Sequence, residues 1–366
     1  MRRLDALDTK LDPPSDPERK GRFHREILEQ PASLSRLLAQ GRPYAEAAAA
    51  AIQRFAPAWV LVAARGSSDN AARYAQYLFG VMNGLGVGLA VPSLISVYAA
   101  HPNLRRALVI GISQSGQSPD IVSVLAEARS QDGLTLALTN DPDSPLALAA
   151  ELTMPILAGT ESAVAATKTY TNELMALAML STSLSGHSER WQELEALPAS
   201  VQLALDNSAA SQAVAVARTF GHAGKFFTVG RGFNYATAFE IALKIKETSY
   251  VIAEPYSPAD LLHGPIAMIG QGFPGILVAP SGQTVDELSR LLELLNQRRA
   301  EVAVISDVPK ILALTPYPLP LTPGVPEWLS PIVAVVPGQL FALELALSRG
   351  IDPDSPRGLS KVTRTR

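Results

Sequence analysis

One turn of the sequence carries side chains that are suited to holding a phosphate group. Residues 113–118 read Ser-Gln-Ser-Gly-Gln-Ser and follow directly after the apolar run Ala107–Ile112. The three serines supply hydroxyl donors, Gly116 lets the backbone approach a ligand, and a helix beginning here would add unpaired N–H groups and its positive dipole end. A serine before a helix most often only caps it, but three hydroxyls around one glycine favour a ligand. The pair Ser67-Ser68 could contribute from the end of a neighbouring strand.

Charged side chains recur at helical spacing in the second half of the chain. Glu240, Lys244 and Glu247 stand at positions i, i+4 and i+7 and therefore share one helical face. A solvated charged stripe would give the same spacing, but the flanking residues are largely apolar and His263 follows in a Leu-Leu-His-Gly-Pro segment. Histidine suits the proton transfer that opens a sugar ring, and a glutamate can move a proton between C1 and C2 of a sugar. These residues alone leave His263 open between a structural and a catalytic role.

An internal repeat positions both groups of residues. Three segments recur in the same order, each 166 residues from its counterpart: Arg65-Gly66 and Arg231-Gly232, Ser115-Gly116-Gln117-Ser118 and Ser281-Gly282-Gln283-Thr284, and Asp141 and Asp307. A repeat at one fixed offset predicts two copies of one structural unit. Whether the second copy binds a ligand of its own stays open, and Pro280 before that turn favours a structural or regulatory role.

Each copy alternates short apolar runs with longer amphipathic stretches. Apolar runs of four to eight residues bounded by turns indicate strands buried on both faces, and helical spacing follows in Asp120–Arg129 and Asp286–Arg299. The sequence therefore predicts an α/β fold with a parallel sheet sandwiched by helices and ligands outside the carboxyl ends of the strands. The expected divisions are a mobile lead-in and helix over 1–34, a first domain over 35–200 and a second over 201–366, with a connecting helix near 191–211.

Composition and charge narrow the class of protein. Hydrophobic residues make up 47% and charged residues 18% of the chain, as in globular proteins, and a net charge of −3 favours neither nucleic acid nor an anionic membrane. The absence of cysteine removes thiolate sites and fits a reducing compartment. The charged N-terminus does not read as a secretory signal, and the apolar stretches 56–64 and 331–337 are shorter than the roughly 20 residues that span a bilayer. We expect a cytoplasmic protein without nucleic-acid or membrane partners.

Metals and nucleotide cofactors are not expected. The five histidines are scattered, with none at i,i+4 and no carboxylate cluster at ligand spacing. Neither Arg65-Gly66 nor Arg231-Gly232 extends to a Gly-x-Gly-x-x-Gly fingerprint, and the serine turn lacks the Gly-Lys-Ser/Thr ending of a P-loop.

Five ordered motifs resemble the sugar isomerase (SIS) family, specifically the isomerase half of glucosamine-6-phosphate synthase and its stand-alone deaminase relatives. The motifs are Arg65-Gly66-Ser67-Ser68, Ser113–Ser118, Glu161–Lys168, the block Glu240–His263 and the tail Pro356–Val362. The resemblance covers nearly the whole chain from about Glu26 onward. It implies two tandem flavodoxin-like SIS domains, the second with a catalytic C-terminal tail.

The resemblance implies roles position by position. Glu247 matches the glutamate of C1–C2 proton transfer, and His263 matches the ring-opening histidine, which in that family reaches a neighbouring subunit's site and so implies a homodimer. Lys244 would organise the sugar and the developing oxyanion, and Lys361 matches the lysine able to form a Schiff base with the ketose. The residues expected to contact the sugar phosphate are Gly66, Ser67, Ser68, Ser113, Gln114, Ser115, Ser118, Val164 and Glu240.

The sequence also departs from the synthase. The glutaminase domain of the synthase and its cysteine nucleophile are both missing, so glutamine-driven synthesis is not expected. Ala166 stands where a hydroxyl residue is expected, and Ser118 is usually threonine. We therefore expect a deaminase/isomerase that converts glucosamine 6-phosphate to fructose 6-phosphate and ammonia. The alternatives are a deglycase acting on a phosphorylated fructosamine adduct and a catalytically silent sugar-phosphate sensor, and the gluco or galacto epimer stays open.

Overall fold

The fold is built around two parallel five-stranded sheets. The computed structural model describes residues 21–206 and 208–361, so the predicted lead-in over residues 1–20 lies outside the described part. The strands of the first sheet are β1 (Trp59–Ala63), β2 (Val87–Leu89), β3 (Ala107–Ile112), β4 (Leu134–Thr139) and β5 (Leu152–Pro155). Those of the second are β6 (Lys225–Val229), β7 (Ile252–Tyr256), β8 (Pro274–Val278), β9 (Glu301–Ser306) and β10 (Tyr317–Pro320).

The two sheets have the same topology, as the repeat predicts. The strand order is β2-β1-β3-β4-β5 in the first and β7-β6-β8-β9-β10 in the second. All pairs are parallel, and the register aligns Val60 with Leu108 and Phe227 with Gly275. The order reverses between β1 and β3, where a parallel open sheet leaves a crevice at its carboxyl edge. The predicted α/β class, with parallel sheets flanked by helices, is confirmed.

Fifteen helices are described within residues 21–206 and 208–361. In the first half they are α1 (Gly21–Leu28), α2 (Gln30–Phe55), α3 (Ser67–Asn83), α4 (Ser93–Ser96), α5 (Pro119–Ser130), α6 (Pro145–Ala149), α7 (Lys168–Ser185), α8 (Glu189–Glu195) and α9 (Leu197–Asp206). In the second half they are α10 (Ser208–Thr219), α11 (Tyr235–Ser249), α12 (Pro258–Leu262), α13 (Val285–Gln297), α14 (Pro309–Leu312) and α15 (Ser330–Ser348).

One large core lies between the two sheets. It joins residues from the inner faces of both sheets, such as Ile110 and Ile276, with the helices packed between them, including α2, α7, α11 and α15. Smaller cores form on the outer faces, under α5 in the first repeat and under α13 in the second. The two repeats therefore share their main core.

The helices of the structure can be compared with the predicted segment boundaries. The predicted division at residue 34 falls inside α2, which begins at Gln30 and runs through Pro43 to Phe55. The segment near 191–211 lies in helices α8 to α10, which separate the two sheets along the sequence.

Helix α15 is long and apolar enough to cross a membrane. However, 94% of the 18-residue stretch that meets this criterion is buried within the protein, as in a core helix. The apolar run 331–337 is only the first part of this helix, which continues through two buried polar residues, Gln339 and Glu344.

Candidate functional site

A cavity of about 310 Å³ opens at the carboxyl edge of the first sheet. It lies at the N-terminal ends of α3 and α5, which follow the neighbouring strands β1 and β3. The lining residues come from both turns, the loop before α7, α7 itself, α11 and the C-terminal tail: Arg65, Gly66, Ser67, Ser68, Ser113, Gln114, Ser115, Ser118, Val164, Ala166, Thr169, Glu173, Glu247, Leu359, Ser360 and Lys361. The crevice at the reversal of strand order is therefore a polar cavity.

The serine turn has the backbone of an anion-binding loop. Gly116 adopts a φ of 62°, and a Cβ atom there would lie 2.1 Å from Ser144 Oγ, so the turn requires glycine. The Ser113 hydroxyl accepts from the Gly116 N–H at 3.1 Å, which fixes the turn from within. Ser118 stands at the N-cap of α5 but makes no side-chain cap hydrogen bond. Its hydroxyl lines the cavity, so the capping alternative for this serine does not describe the structure.

An arginine adds positive charge beside this turn. The Arg65 Nε lies 2.8 Å from Asp120 Oδ2, and Asp120 is fully buried in the first turn of α5. Half of the Arg65 side chain stays exposed at the cavity. Guanidinium, hydroxyls and two helix N-termini together form a site suited to a phosphate group.

A buried ion-pair network lies directly behind two of the lining residues, Ser67 and Glu247. Lys244 is fully buried, and its Nζ lies 2.5 Å from Glu247 Oε2 and 3.4 Å from Glu240 Oε1. Lys244 also donates to Ser67 Oγ at 3.1 Å, while Ser67 donates to Glu240 Oε1 at 2.9 Å. Asn70 Nδ2 donates to the other Glu240 oxygen at 2.8 Å. The network therefore ties α11 to the turn before α3.

Burial and charge act in opposite directions on this network. Burial raises the pKa of Glu240, although the Lys244 ammonium and the Asn70 amide oppose it. Burial would lower the pKa of Lys244, but the carboxylates of Glu240 and Glu247 outweigh that effect and raise it. Lys244 is thus held as a cation. Glu247, which is about one fifth exposed, contacts this cation and also lines the cavity.

The C-terminal tail brings an amine into the same cavity. Lys361 Nζ lies 2.6 Å from Glu161 Oε2, whose side chain is fully buried. The Glu161 carboxylate also accepts from the backbone N–H groups of Thr167 and Thr169 and from both of their hydroxyls. Burial alone would raise the pKa of Glu161, but the Lys361 ammonium and these donors lower it. Glu161 therefore anchors the lysine as an ionised partner.

Further contacts hold the tail in place. Asp354 accepts from the backbone N–H groups of Arg22 and Phe23 at the start of α1. The Arg357 guanidinium lies over the Tyr250 ring, 4.1 Å from its centroid, and the Arg357 N–H donates to the Tyr250 hydroxyl. These contacts hold the tail, of which residues 359–361 line the cavity.

A second buried carboxyl group lines the cavity. Glu173 lies on α7 and is 1% exposed, and its Oε1 accepts from Ser68 Oγ at 2.8 Å. Its Oε2 has no hydrogen-bond partner among the described residues. Burial raises the pKa of Glu173 to about 8, reinforced by Glu161 and Glu240 and opposed by Ser68 and Lys361.

His263 lies apart from this cavity. It follows α12, its side chain is exposed, and it is absent from the cavity lining. A contribution from a neighbouring subunit remains a prediction.

The matching turn of the second repeat is filled by the chain's own acidic side chains. Ser281 donates through its N–H and its hydroxyl to Asp307, at 2.6 and 2.7 Å. The Glu327 carboxylate accepts from the Gln283 N–H at 2.8 Å and from the Thr284 hydroxyl at 3.4 Å. Glu327 therefore occupies the position that an anionic ligand would take at this turn, which we call the second turn.

The structure brings most of the predicted residues together. Those that line the cavity are Gly66, Ser67, Ser68, Ser113, Gln114, Ser115, Ser118, Val164, Glu247 and Lys361. Glu240 and Lys244 are not among the lining residues, since both side chains are fully buried, and a sugar contact by either of them stays a prediction. Within the described residues no group of three or more His, Asp or Glu side chains could hold a metal ion.

Sequence reasoning missed several residues of the site. Arg65 was noted only as part of the repeat and of a family motif, and Glu161 only as part of a motif, while Thr169, Glu173 and Ser360 were not singled out. A signal existed for Glu173, since it is an acidic residue that directly precedes the apolar run 174–180. Its partner Ser68 is 105 residues away, a distance that spacing arguments do not bridge.

Comparison with known proteins gives the family. The SIS domain model matches residues 59–183 and 220–349. The isomerizing glutamine–fructose-6-phosphate aminotransferase of Thermococcus kodakarensis is 39% identical over 265 residues, covering 70% of this chain and 44% of that protein. That of Methanothermobacter thermautotrophicus is 35% identical over 299 residues, covering 81% and 50%. The chain thus spans about half the length of these curated relatives.

Solved structures agree over nearly the whole chain. A protein from Silicibacter pomeroyi, provisionally described as a phosphosugar isomerase, is 34% identical with a TM-score of 0.82, covering 91% of this chain and 99% of that one. The C-terminal domain of glucosamine-fructose-6-phosphate aminotransferase from Francisella tularensis is 25% identical with a TM-score of 0.83, covering 93% and 100%. Glucosamine-6-phosphate deaminase from Thermotoga maritima shares the fold, with 20% identity, a TM-score of 0.74 and coverage of 94% and 100%. The chain belongs to the SIS family, as a tandem of two SIS domains homologous to the isomerase domain of glutamine–fructose-6-phosphate aminotransferase.

Proposed function

We propose that this chain is an aldosamine-phosphate deaminase/isomerase that converts glucosamine 6-phosphate and water to fructose 6-phosphate and ammonia. The observation that carries the proposal is one cavity that combines the serine turn with the Glu247 carboxylate and the Lys361 amine. An anion site, a proton-transfer group and an amine in one cavity match the phosphate and the reacting carbons of an open-chain amino-sugar phosphate.

The phosphate group would bind at the serine turn. Ser113, Ser115 and Ser118 at the N-terminus of α5 and the half-exposed Arg65 line the cavity. A phosphate ester carries close to two negative charges at neutral pH, and such donors are suited to stabilising it.

Proton transfer would fall to Glu247. In the open-chain substrate, its carboxylate would remove the proton from C2 and return it to C1, while a second proton passes from the amino nitrogen to the C1 oxygen. The amino aldehyde thereby becomes the C2 imine of the ketose. Lys244, whose Nζ lies 2.5 Å from Glu247 Oε2, orients this carboxylate as a positioning residue. Glu240 holds Lys244 and Ser67 in turn.

Release of ammonia would involve Lys361. Once its proton has been lost, the amine would add to C2, expel ammonia and form a Schiff base with the ketose, and water would then hydrolyse that bond and restore the lysine. The buried Glu161 carboxylate at 2.6 Å positions the amine for this attack. We also propose a homodimer in the cytoplasm, in which the exposed His263 would complete a partner's site as the acid–base group for ring opening.

Incubation of the purified protein with glucosamine 6-phosphate tests the proposal. We expect fructose 6-phosphate and ammonia in equal amounts, with both products reduced at least about 100-fold in Glu247→Gln, as for loss of a general acid–base group. A matched assay with a phosphorylated fructosamine–amino acid adduct separates deamination from deglycation. A folded protein that binds the sugar phosphate but turns over neither compound would refute the enzymatic proposal and favour the sensor alternative.

A further inference from the structure

Ser68 faces two acceptors that compete for one hydrogen. Its hydroxyl donates to Glu173 Oε1 at 2.8 Å, yet the same side chain lines the cavity in which the proposed function places a phosphate. A serine hydroxyl has a single O–H donor. While Glu173 is ionised, that hydrogen is taken by the carboxylate and cannot be donated to a ligand.

We infer that Glu173 binds phosphate-bearing ligands as a neutral carboxylic acid that donates to Ser68, whose hydroxyl hydrogen is thereby released to the phosphate oxygens. The inference rests on the proposed function only in taking a phosphate monoester as the ligand. Glu173 is then a positioning residue of the anion site that takes up one proton when a dianion binds from alkaline solution.

The surroundings of Glu173 favour the neutral form. The side chain is buried, and Oε2 has no hydrogen-bond partner among the described residues, whereas a buried carboxylate ordinarily collects several donors. Glu161 shows the contrast within the same cavity, since its carboxylate accepts from Lys361 and from two threonines.

The charged groups around Glu173 are of both signs, and its pKa is raised overall. Glu161 in the loop before α7 and Glu240 on α11 raise its pKa, while Lys361 on the tail lowers it. Tyr170, on the same helix, is buried, and its hydroxyl interacts electrostatically with Glu240 and with Glu173 itself. With burial as the largest cause, the pKa of Glu173 reaches about 8, so a ligand dianion would raise it further.

Calorimetric titration with glucitol 6-phosphate tests the inference, because this ester has no carbonyl group and cannot react. Its phosphate is already a dianion above about pH 7, so pH dependence at higher pH reports the protein. We expect the affinity of the wild-type protein to fall about tenfold between pH 7 and pH 9, as one-proton linkage to a group with a pKa near 8 requires. In buffers of different ionisation enthalpy, binding at pH 9 should take up close to one proton per ligand.

Glu173→Gln is the matched variant, since its amide can donate to Ser68 and does not titrate. It should bind at pH 9 about tenfold more tightly than the wild type and show no proton uptake at position 173. Equal proton uptake in the wild type and in Glu173→Gln would overturn the inference. A wild-type uptake of zero would also overturn it. Binding of glucitol 6-phosphate without turnover of glucosamine 6-phosphate would refute the proposed enzyme activity and leave this inference standing. Absence of any binding would overturn both.

Discussion

Removing the buried lysine beneath the cavity should destabilise the protein strongly. Lys244→Met keeps a similar chain length but takes the cation away from Glu240 and Glu247, at 3.4 and 2.5 Å, and from Ser67. Loss of one partner from a buried ion pair costs about 3–5 kcal/mol, because an uncompensated charge remains. We expect the free energy of unfolding at pH 7 to fall by about that amount.

The charge explanation is separated from simple loss of packing by a double variant. Lys244→Met combined with Glu240→Gln leaves no buried carboxylate at position 240, and a glutamine there can still bond Ser67 and Asn70. The double variant should therefore recover about half or more of the loss, which gives a coupling energy of about 2 kcal/mol between neighbouring sites.

The pH dependence has a definite sign. Burial already raises the pKa of Glu240, and loss of Lys244 raises it further, so the variant loses stability as pH rises through that pKa. Lys244→Met should be closer to the wild type at pH 5 than at pH 8. Urea unfolding followed by far-UV circular dichroism and by tryptophan fluorescence measures the wild type, Lys244→Met, Glu240→Gln and the double variant, the four proteins that a coupling energy requires. A single variant as stable as the wild type, or strict additivity in the double variant, would refute the reasoning.

Three further variants probe other contacts of the site. Glu161→Gln removes the ionised anchor of Lys361 and should lower kcat for glucosamine 6-phosphate at least about tenfold. The affinity for glucitol 6-phosphate should change less, because the serine turn is untouched, and a loss of affinity as large as the loss of kcat would contradict this. Gly116→Ala drives a Cβ to 2.1 Å from Ser144 Oγ and should weaken glucitol 6-phosphate binding at least about tenfold in calorimetric titration, whereas unchanged affinity would show that the turn does not hold the phosphate. Glu327→Gln at the second turn should reduce stability by about 1–3 kcal/mol in urea unfolding and leave turnover unchanged, and reduced turnover in the folded variant would indicate that the second turn takes part in the reaction.

The central strands of both sheets followed from the sequence, but the edges did not. Runs such as Ala107–Ile112 are apolar throughout, since a strand in the middle of a parallel sheet is buried on both faces. The strands β2, β5, β7 and β10 were not predicted. They have three to five residues, and three of them contain proline, which sheet edges tolerate because one side of the strand needs no ladder partner.

The site was predictable where it depended on local sequence. The serine turn follows one strand and opens one helix, so its role could be inferred from six consecutive residues. The contacts of Glu173 with Ser68 and of Glu161 with Lys361 join residues 105 and 200 positions apart, and only the packed fold reveals them. The helical spacing of Glu240, Lys244 and Glu247 was correct, but spacing alone does not tell which of them faces the cavity.

The burial of α15 in the shared core could not be predicted from its apolar pattern. Helix α15 carries Gln339 and Glu344 within an apolar sequence, and the polar pair interrupts the run that a composition count detects. In the fold Gln339 accepts from Gln30 of α2 at 2.9 Å, a bond between the two ends of the chain. Such pairing allows a polar residue in a fully buried helix and ties the repeats together.

A crystal structure of Glu247→Gln with glucosamine 6-phosphate tests the central claim most directly. The account predicts the phosphorus atom within hydrogen-bonding reach of residues 113–118, with C1 and C2 of the open chain beside residue 247 and the Lys361 amine. A sugar phosphate whose phosphorus lies at the second turn, or whose first two carbons point away from residue 247, would contradict it.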